Sequence, residues 1–470
     1  MIKEIFFRII ILLNENTFKR KRKGGNNMDA YLLIIALLSI VIVIVGVSLF
    51  KWHAFISLTV ASLFLAVFSG LSFDKIVSAY ETGVGGVLGH LVGILALGTI
   101  LGKMLSESGA GLRIANYFVN VFGEKKLPWA MFFSGFIIGI PVFFEVGILI
   151  LLPLVISIQK ATKKNILLIA LPGIAGLSIV HGLVPPHPGA IAAIGIFDAN
   201  LGTVLLYSLI IVVPAGILGG PLFAKWINSR VFPKGESTLI TAEPIAEDKL
   251  PSIGVSFLSI LLPVILMIIG TAAPYLTIFS QGVRNVLIFL GSPLLSLLIA
   301  VFFAFYFLGM RQGMDKESIK KFTEDCFLPV GSILLIIGAG GAFKQVLIAS
   351  GVGDTIGSMS ESLSLSPLVL AFMIAGLIRI ATGSATVALT TAAGIVSPII
   401  AGMSGVNVEL LVIATGAGSL MFSHVNDAGF WMVKEYLGLT VEETFKTWTV
   451  LETILSFIAF AGVLILDLIV

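Results

Sequence analysis

Glu145 is the only charged residue between Leu127 and Lys160, and Arg379 the only one between Glu361 and Glu409. An ionisable side chain inside so apolar a run costs about 2.5 kcal/mol or more in a bilayer, so it needs a partner, a proton or water. Glu145 lies in Gly139-Ile140-Pro141-Val142-Phe143-Phe144-Glu145-Val146-Gly147, where it reads as a proton site; a structural pair with Arg379 is the alternative. Arg379 itself precedes Thr382-Gly383-Ser384-Ala385-Thr386, with Thr390 and Thr391 beyond. Hydroxyls and free backbone N–H groups at a helix N-terminus suit a carboxylate and its neighbouring hydroxyls. Such residues also serve as ordinary glue between membrane helices. Arg379 would neutralise substrate or a buried acid. A third stretch, His181-Gly182-Leu183-Val184-Pro185-Pro186-His187-Pro188-Gly189, cannot continue as helix, because each proline lacks an N–H. His187 inside that break can titrate or touch substrate. A metal centre is not expected there, since neither histidine has Cys or carboxylates beside it. The fourth stretch is Ser423-His424-Val425-Asn426-Asp427-Ala428-Gly429-Phe430-Trp431. Asn426 and Asp427 suit substrate hydroxyls, a proton or Na⁺.

The elements that must position these groups are membrane helices. The 470 residues are 57% apolar and 12% charged, against roughly 45–50% and about 25% in soluble domains. Too few charges remain to cover a soluble globule of this size, and apolar runs near the length of a bilayer crossing recur from Tyr31 onward. Helices are expected at about 29–50, 52–70 and 84–106, with a partly amphipathic segment at 107–123. An apolar stretch 128–158 is centred on Pro141, followed by a broken helix at 165–203 and a helix at 204–225. The second half reads as 252–273, 285–308, 326–348, an apolar stretch 366–402, a broken helix 408–433 and a last helix 448–470.

Composition also excludes functions. Twenty-nine basic and 26 acidic residues leave no basic field for nucleic acid. The single Cys326 permits no internal disulfide and no thiolate metal cluster. Neither a phosphate-binding loop nor an HExxH zinc motif occurs, so no cofactor is expected.

Leu105–Gly111 resembles Leu347–Gly353 at an offset of 242 residues, and the same offset lays Gly139–Pro141 on Ala381–Gly383 and brings His181 to within one residue of His424. Lys160, Lys163, Lys164, Arg311, Lys316, Lys320 and Lys321 mark the cytoplasmic side. With that orientation the two copies have opposite topology, the plan of alternating-access transporters. The chain divides into an N-terminal extension 1–27, a first inverted repeat 28–225, a cytoplasmic linker 226–251 and a second inverted repeat 252–470. The basic cluster Lys19–Lys23 would lie on the wrong side, which marks Met28 as the expected start.

With Ile138–Gly147, His181–Gly189, Gly338–Ser350, Gly383–Val396, Phe422–Trp431 and Thr447–Ile454 in this order, the chain resembles the gluconate permease family of the ion-transporter superfamily. The likeness runs from Met28 to the C-terminus. It implies an all-α polytopic protein of a bacterial-type inner (plasma) membrane, built of two inverted repeats. Each repeat has a re-entrant helical hairpin and a broken helix, and many members are homodimers. The implied hairpin tips are Pro141–Glu145 and Gly383–Thr386, and the implied breaks are Val184–Gly189 and His424–Gly429. The implied activity is H⁺ symport of gluconate, a related sugar acid or D-serine. Thr382, Gly383, Ser384, Thr386, His187 and Asn426 would bind substrate, Glu145 or Asp427 would take the proton, and Arg379 would be a charge partner. Pro141 and Ala190 fall where members differ, so the substrate stays open among these acids, as does Na⁺ coupling. An intramembrane enzyme using His187 or His424, with Ser384 and His424 a conceivable pair, or a channel, is the remote alternative.

Overall fold

The computed structural model describes residues 25–233, 249–352, 366–400, 403 and 405–470. Residues 1–24, most of the linker (234–248) and Gly353, the end of one repeat match, lie outside the described residues. The described chain is helical, without a strand. In order come α1 Gly25–Ser48, α2 Ala54–Phe68, α3 Phe73–Glu107, α4 Ala110–Phe122, α5 Leu127–Gly139, α6 Phe144–Thr162, α7 Ile166–Leu183 and α8 Pro188–Phe197. Next are α9 Leu201–Ile227, α10 Ile253–Tyr275, α11 Gln281–Leu290, α12 Pro293–Gln312, α13 Lys316–Asp325 and α14 Phe327–Ala349. The chain ends with α15 Pro367–Thr382, α16 Ala385–Ile400, α17 Val408–Ser419, α18 Ala428–Leu437 and α19 Val441–Asp467. Among the described residues, 7 helical stretches are long and apolar enough to cross a membrane, or 8 with α3 counted across its 40° bend.

Local chemistry sets the boundaries. Asn165, Asn200, Ser252 and Asn407 cap α7, α9, α10 and α17 by accepting a first-turn N–H. Pro128, Pro188, Pro293 and Pro367 stand in first turns, where a missing N–H costs nothing. The Leu183–Pro188 interruption contains a cis Pro185–Pro186 bond, and α15 stops at Gly383 with φ +74°.

Three expected boundaries differ. The helix expected from 84 begins at Phe73, because Asp74, Lys75 and Glu81 lie on an extension that is helical without being apolar. The single span expected at 285–308 is two helices, α11 and α12, parted at Gly291-Ser292. The amphipathic α13 was not expected at all; Asp315 caps it, accepting the Ser318 N–H at 2.8 Å.

Two helical hairpins, α5–α6 and α15–α16, and two interrupted helices, α7–α8 and α17–α18, dominate the interior. In the most apolar 18 residues of Ile166–Phe197, 89% are buried, against 33% in those of Phe144–Thr162, so the first broken helix is the axis about which the rest packs. The first hairpin reaches it at glycine contact: a Cβ on Gly135 would lie 2.0 Å from the carbonyl oxygen of Gly173. Only a missing side chain lets α5 and α7 approach so closely. Shifting Leu127–Gly139 by 242 residues lays it on 369–381, inside α15, and shifting Pro188–Phe197 lays it on 430–439, over α18. The order hairpin, broken helix, long helix thus recurs.

Candidate functional site

The second hairpin ends on a residue that must be glycine. Gly383 takes φ +74°, and a Cβ there would lie 2.2 Å from the Asn426 carbonyl oxygen. The tip therefore sits directly on the break between α17 and α18. Ser384 caps α16, its Oγ accepting the Val387 N–H at 3.3 Å, and the Thr382 hydroxyl donates back to Ile378 O at 2.8 Å. Thr386 follows in the first turn of α16. Thr382, Ser384, Ala385 and Thr386 are all half-buried, so this tip borders open space.

Charge fastens tip to break. Arg379, 3% exposed, donates through Nη2 to Asp427 Oδ2 at 2.5 Å and through Nη1 to the Gly383 carbonyl. The Ser423 hydroxyl donates to the same Asp427 oxygen, and Asp427 Oδ1 accepts the Gly429 N–H at 2.9 Å, capping α18. Trp448 Nε1 donates to Ser423 Oγ at 2.7 Å. On the other side of the tip, Asn426 Nδ2 and His424 Nε2 both donate to Ile380 O, at 2.8 and 2.9 Å. The pairing of Glu145 with Arg379, held open from the sequence, is replaced by Arg379–Asp427: both belong to the second half, one on the tip and one on the break beneath it.

The first hairpin turns over Ile140–Phe143, so Pro141 is at the tip and Glu145 already in the first turn of α6. Ile140, Pro141 and Val142 are buried, while the Glu145 side chain is exposed and within electrostatic reach of Asp427. His187, 3% exposed, donates through Nε2 to Gly139 O at 2.5 Å. The His181 and His187 rings stand 4.9 Å apart, and His181 Nδ1 is buried without a hydrogen-bond partner. A cleft over this tip is lined by Leu95, Thr99, Pro141, Phe143, Pro186 and His187.

The halves meet crosswise. A Cβ on Gly189, at the start of α8, would lie 3.6 Å from Thr386 Cα in the second hairpin. A Cβ on Gly429, at the start of α18, would lie 3.2 Å from the Phe144 ring in the first. His187 precedes this contact by two residues, as the residue before α8, and faces Gly139, Phe143 and His181 of its own half, whereas Thr382, Gly383, Ser384, Thr386, Arg379, Asn426 and Asp427 gather about the second tip and break. Buried Asn426 Oδ1, Arg379 Nε and Thr391 Oγ1 also lack partners. Orphaned buried polar atoms are costly, so a region that holds several gains from any rearrangement or water that gives them partners. No group of three metal-ligating side chains occurs among the described residues.

One acid escaped the sequence reading. Glu452 in α19 is 1% exposed, and Ser178 of α7 donates to its Oε1 at 2.5 Å. Its signal was available: it is the only charged residue between Lys446 and Asp467.

Comparison with known proteins gives this geometry its class. The profile of the GntP family permeases matches residues 31–469. The chain is similar to a gluconate permease of Pseudomonas aeruginosa, 46% identical over 95% of this chain and 99% of that one. It is 40% identical to the Gnt-II system L-idonate transporter of Escherichia coli K12, over 93% and 99% of the two chains. It is 38% identical to the D-serine transporter DsdX of E. coli O6:H1, over 92% and 98%. Among solved structures, the MtrF antimetabolite efflux pump of Neisseria gonorrhoeae superposes with a TM-score of 0.61 at 15% identity, covering 98% of each chain, which is a likeness of fold alone. The protein is a multi-pass inner-membrane permease rather than an enzyme, so Ser384 and His424 are not a nucleophile and its base. The chain belongs to the GntP family of permeases.

Proposed function

We propose that this permease is a secondary transporter that imports gluconate or a related hydroxy-monocarboxylate together with H⁺. The observation that carries the proposal is the second hairpin tip, where Gly383 rests on Asn426 of the second break and Thr386 faces Gly189 of the first half. A substrate carboxylate would be held at the N-terminus of α16 by backbone N–H groups, Ser384 and Thr386, where the helix end favours an anion. Thr382 and Gly383 shape the tip, and His187 and Asn426 meet the remaining hydroxyls. Arg379 and Asp427 neutralise each other and set the position of the tip. Glu145, at the exposed end of the first hairpin, takes the coupling proton, with Asp427 the alternative acceptor.

Residues 28–225 and 252–470 act as two copies of opposite topology about the cytoplasmic linker 226–251. Hairpins entering from opposite faces then open the site alternately. The same resemblance extends to a homodimer, which mass measurement of the detergent-solubilised protein would establish. The second reading is a D-serine or other small-carboxylate permease, or Na⁺ coupling; relatives that carry idonate and D-serine favour keeping it.

The test is uptake into proteoliposomes of labelled gluconate, idonate, glycerate and D-serine, under an imposed pH gradient and separately under a Na⁺ gradient. Uphill accumulation of one acid under the pH gradient is the expected outcome. Accumulation under Na⁺ alone would replace the coupling ion, and equilibration without accumulation would mean a channel. Glu145→Gln is expected to lose pH-driven accumulation while keeping exchange of labelled for unlabelled substrate. Full accumulation by that variant would remove Glu145 from the coupling.

A further inference from the structure

Glu452 is the acid with the least room for its charge. It lies on α19, 1% exposed. Ser178 of α7 donates to Oε1 at 2.5 Å and is itself buried. No Lys, Arg or His stands within ion-pair distance of it among the described residues. The charged groups that act on it from a distance are Arg379 of α15 and Asp427 at the second break, which already serve each other at 2.5 Å. Of the elements packed against α19, α9 carries Tyr207 and, near its end, Lys225; α18 carries Lys434, Glu435 and Tyr436; α17 has no charged residue after Glu409; and α7 adds His181, one turn beyond Ser178. Unlike Asp427, Glu452 closes no helix end and holds no hairpin tip.

A carboxyl group without a cation, shut inside protein, is tolerated when it can carry a proton. Ser178 suits both forms, since its hydroxyl donates to a carboxylate and accepts from a carboxylic acid. The location matters as much. Ser178 belongs to the first broken helix and Glu452 to the long helix of the second half, so the pair spans the surface along which α7 and α19 meet. One turn earlier on α19, Trp448 binds Ser423 of the second break and lies with its ring centroid 5.3 Å from that of Phe144 at the first tip. A proton at Glu452 is therefore linked through one helix to both hairpins.

We propose that Glu452 is an occluded proton-binding site of this transporter, paired with Ser178, in which the imported H⁺ resides while the substrate site is closed to both sides. The proposal rests on the H⁺-symport reading above. One proton binds the Glu452 carboxylate from the outward side and leaves the carboxylic acid toward the cytoplasm in each cycle, so the charge of the site is restored. Glu145 and Glu452 then have different tasks, the first on the exposed first turn of α6 and the second inside.

The test uses the full chain in proteoliposomes with two readouts, pH-driven accumulation and exchange of labelled for unlabelled gluconate at equal pH. Glu452→Gln is expected to lose accumulation by about 10-fold or more, the scale of an essential proton-transfer group, while exchange continues. Accumulation by Glu452→Gln at the wild-type level would overturn the proposal. Where Glu452→Gln loses both readouts, Glu452→Asp decides. Accumulation with a displaced pH profile supports the site, and an unchanged profile, or no accumulation, counts against it. Ser178→Ala is expected to shift the pH profile without abolishing uptake. Wild-type protein that accumulates no acid under a pH gradient would sink the symport reading and the site with it. Equal accumulation by wild type and Glu452→Gln would sink the site alone.

Discussion

At the first hairpin tip, among the described residues, one side-chain hydrogen bond, from His187 to the Gly139 carbonyl, ties tip to broken helix. At the second, the Arg379–Asp427 ion pair and two hydrogen bonds, from His424 and Asn426 to the Ile380 carbonyl, do the same work, while Arg379 also braces the tip at Gly383 and Ser423 braces Asp427. The first tip is buried and apolar from Ile140 to Val142; the second is half-buried and carries hydroxyls from Thr382 to Thr386. Sites at equivalent places in the element order have thus been given unequal chemistry. An apolar tip can be sealed by packing, whereas a tip that must receive an anion has to keep donors free and hold its shape by other means. The Arg379–Asp427 pair supplies that means without using the hydroxyls. The substrate contacts proposed above accordingly concentrate in the second half, with His187 and the exposed acid Glu145 proposed from the first.

The largest effect is expected where the charge pair is broken. Arg379→Met leaves the largely enclosed Asp427 and the Gly383 carbonyl without the cation that served both, a loss of up to about 3–5 kcal/mol, the scale of a broken buried pair. Thermal unfolding in detergent should drop by several degrees and uptake should vanish. The double variant Arg379→Met/Asp427→Leu is expected to recover most of the stability, because neither charge is then stranded, yet not the uptake. Recovery of both would mean that the pair is a packing device with no part in shaping the tip.

Gly383→Ala comes next. The left-handed φ strains any L side chain, and the Cβ would press on Asn426 at 2.2 Å, so about 1–3 kcal/mol from the backbone alone is expected. Uptake should fall by roughly 10-fold or more. At the first tip the corresponding change, Pro141→Ala, requires no new close approach and should leave uptake within about 3-fold of wild type. Equal losses at both tips would contradict the division of labour drawn above.

Much of this arrangement was readable from residue types. Prolines and glycines within apolar runs mark a helix that cannot continue, which is why both hairpin turns and both breaks fall within a few residues of Pro141, Gly383, Pro185 and His424. Partners across the fold were not readable. Nothing local links Arg379 to Asp427, 48 residues on, and a pair with Glu145 suited the same charge count. Glu452 was visible as an isolated charge between Lys446 and Asp467, but its flanks carry neither proline nor glycine breaks, so it read as one acid on a last plain helix. Only its contact with Ser178, 274 residues earlier, marks it as interior. The helix α13 was missed for the opposite reason, being too polar for a search guided by hydropathy.

The intermediate effect belongs to His187. His187→Ala strands the buried Gly139 carbonyl at a cost of about 1–3 kcal/mol, whereas His187→Gln keeps a donor within reach. The alanine variant should be less stable and bind substrate more weakly, and the glutamine variant should recover the stability. If glutamine restores affinity as well, His187 acts by holding the tip; if affinity stays low, its ring also meets the substrate.

Ser384→Ala is the mildest change and the most informative about the anion. It removes the cap of α16, about 1 kcal/mol, and one of the hydroxyls offered to the carboxylate. The fold should survive with a small drop in unfolding temperature. The expected signature is a KM for gluconate raised about 5-fold, the scale of one lost neutral hydrogen bond, with the maximal rate nearly unchanged. The same loss measured on D-serine, and on an alanine analogue of it that lacks the hydroxyl, would assign Ser384 to the carboxylate, the group all three share. A loss confined to gluconate would move it to the hydroxyls, and with it the direction in which the substrate lies between the second tip and His187.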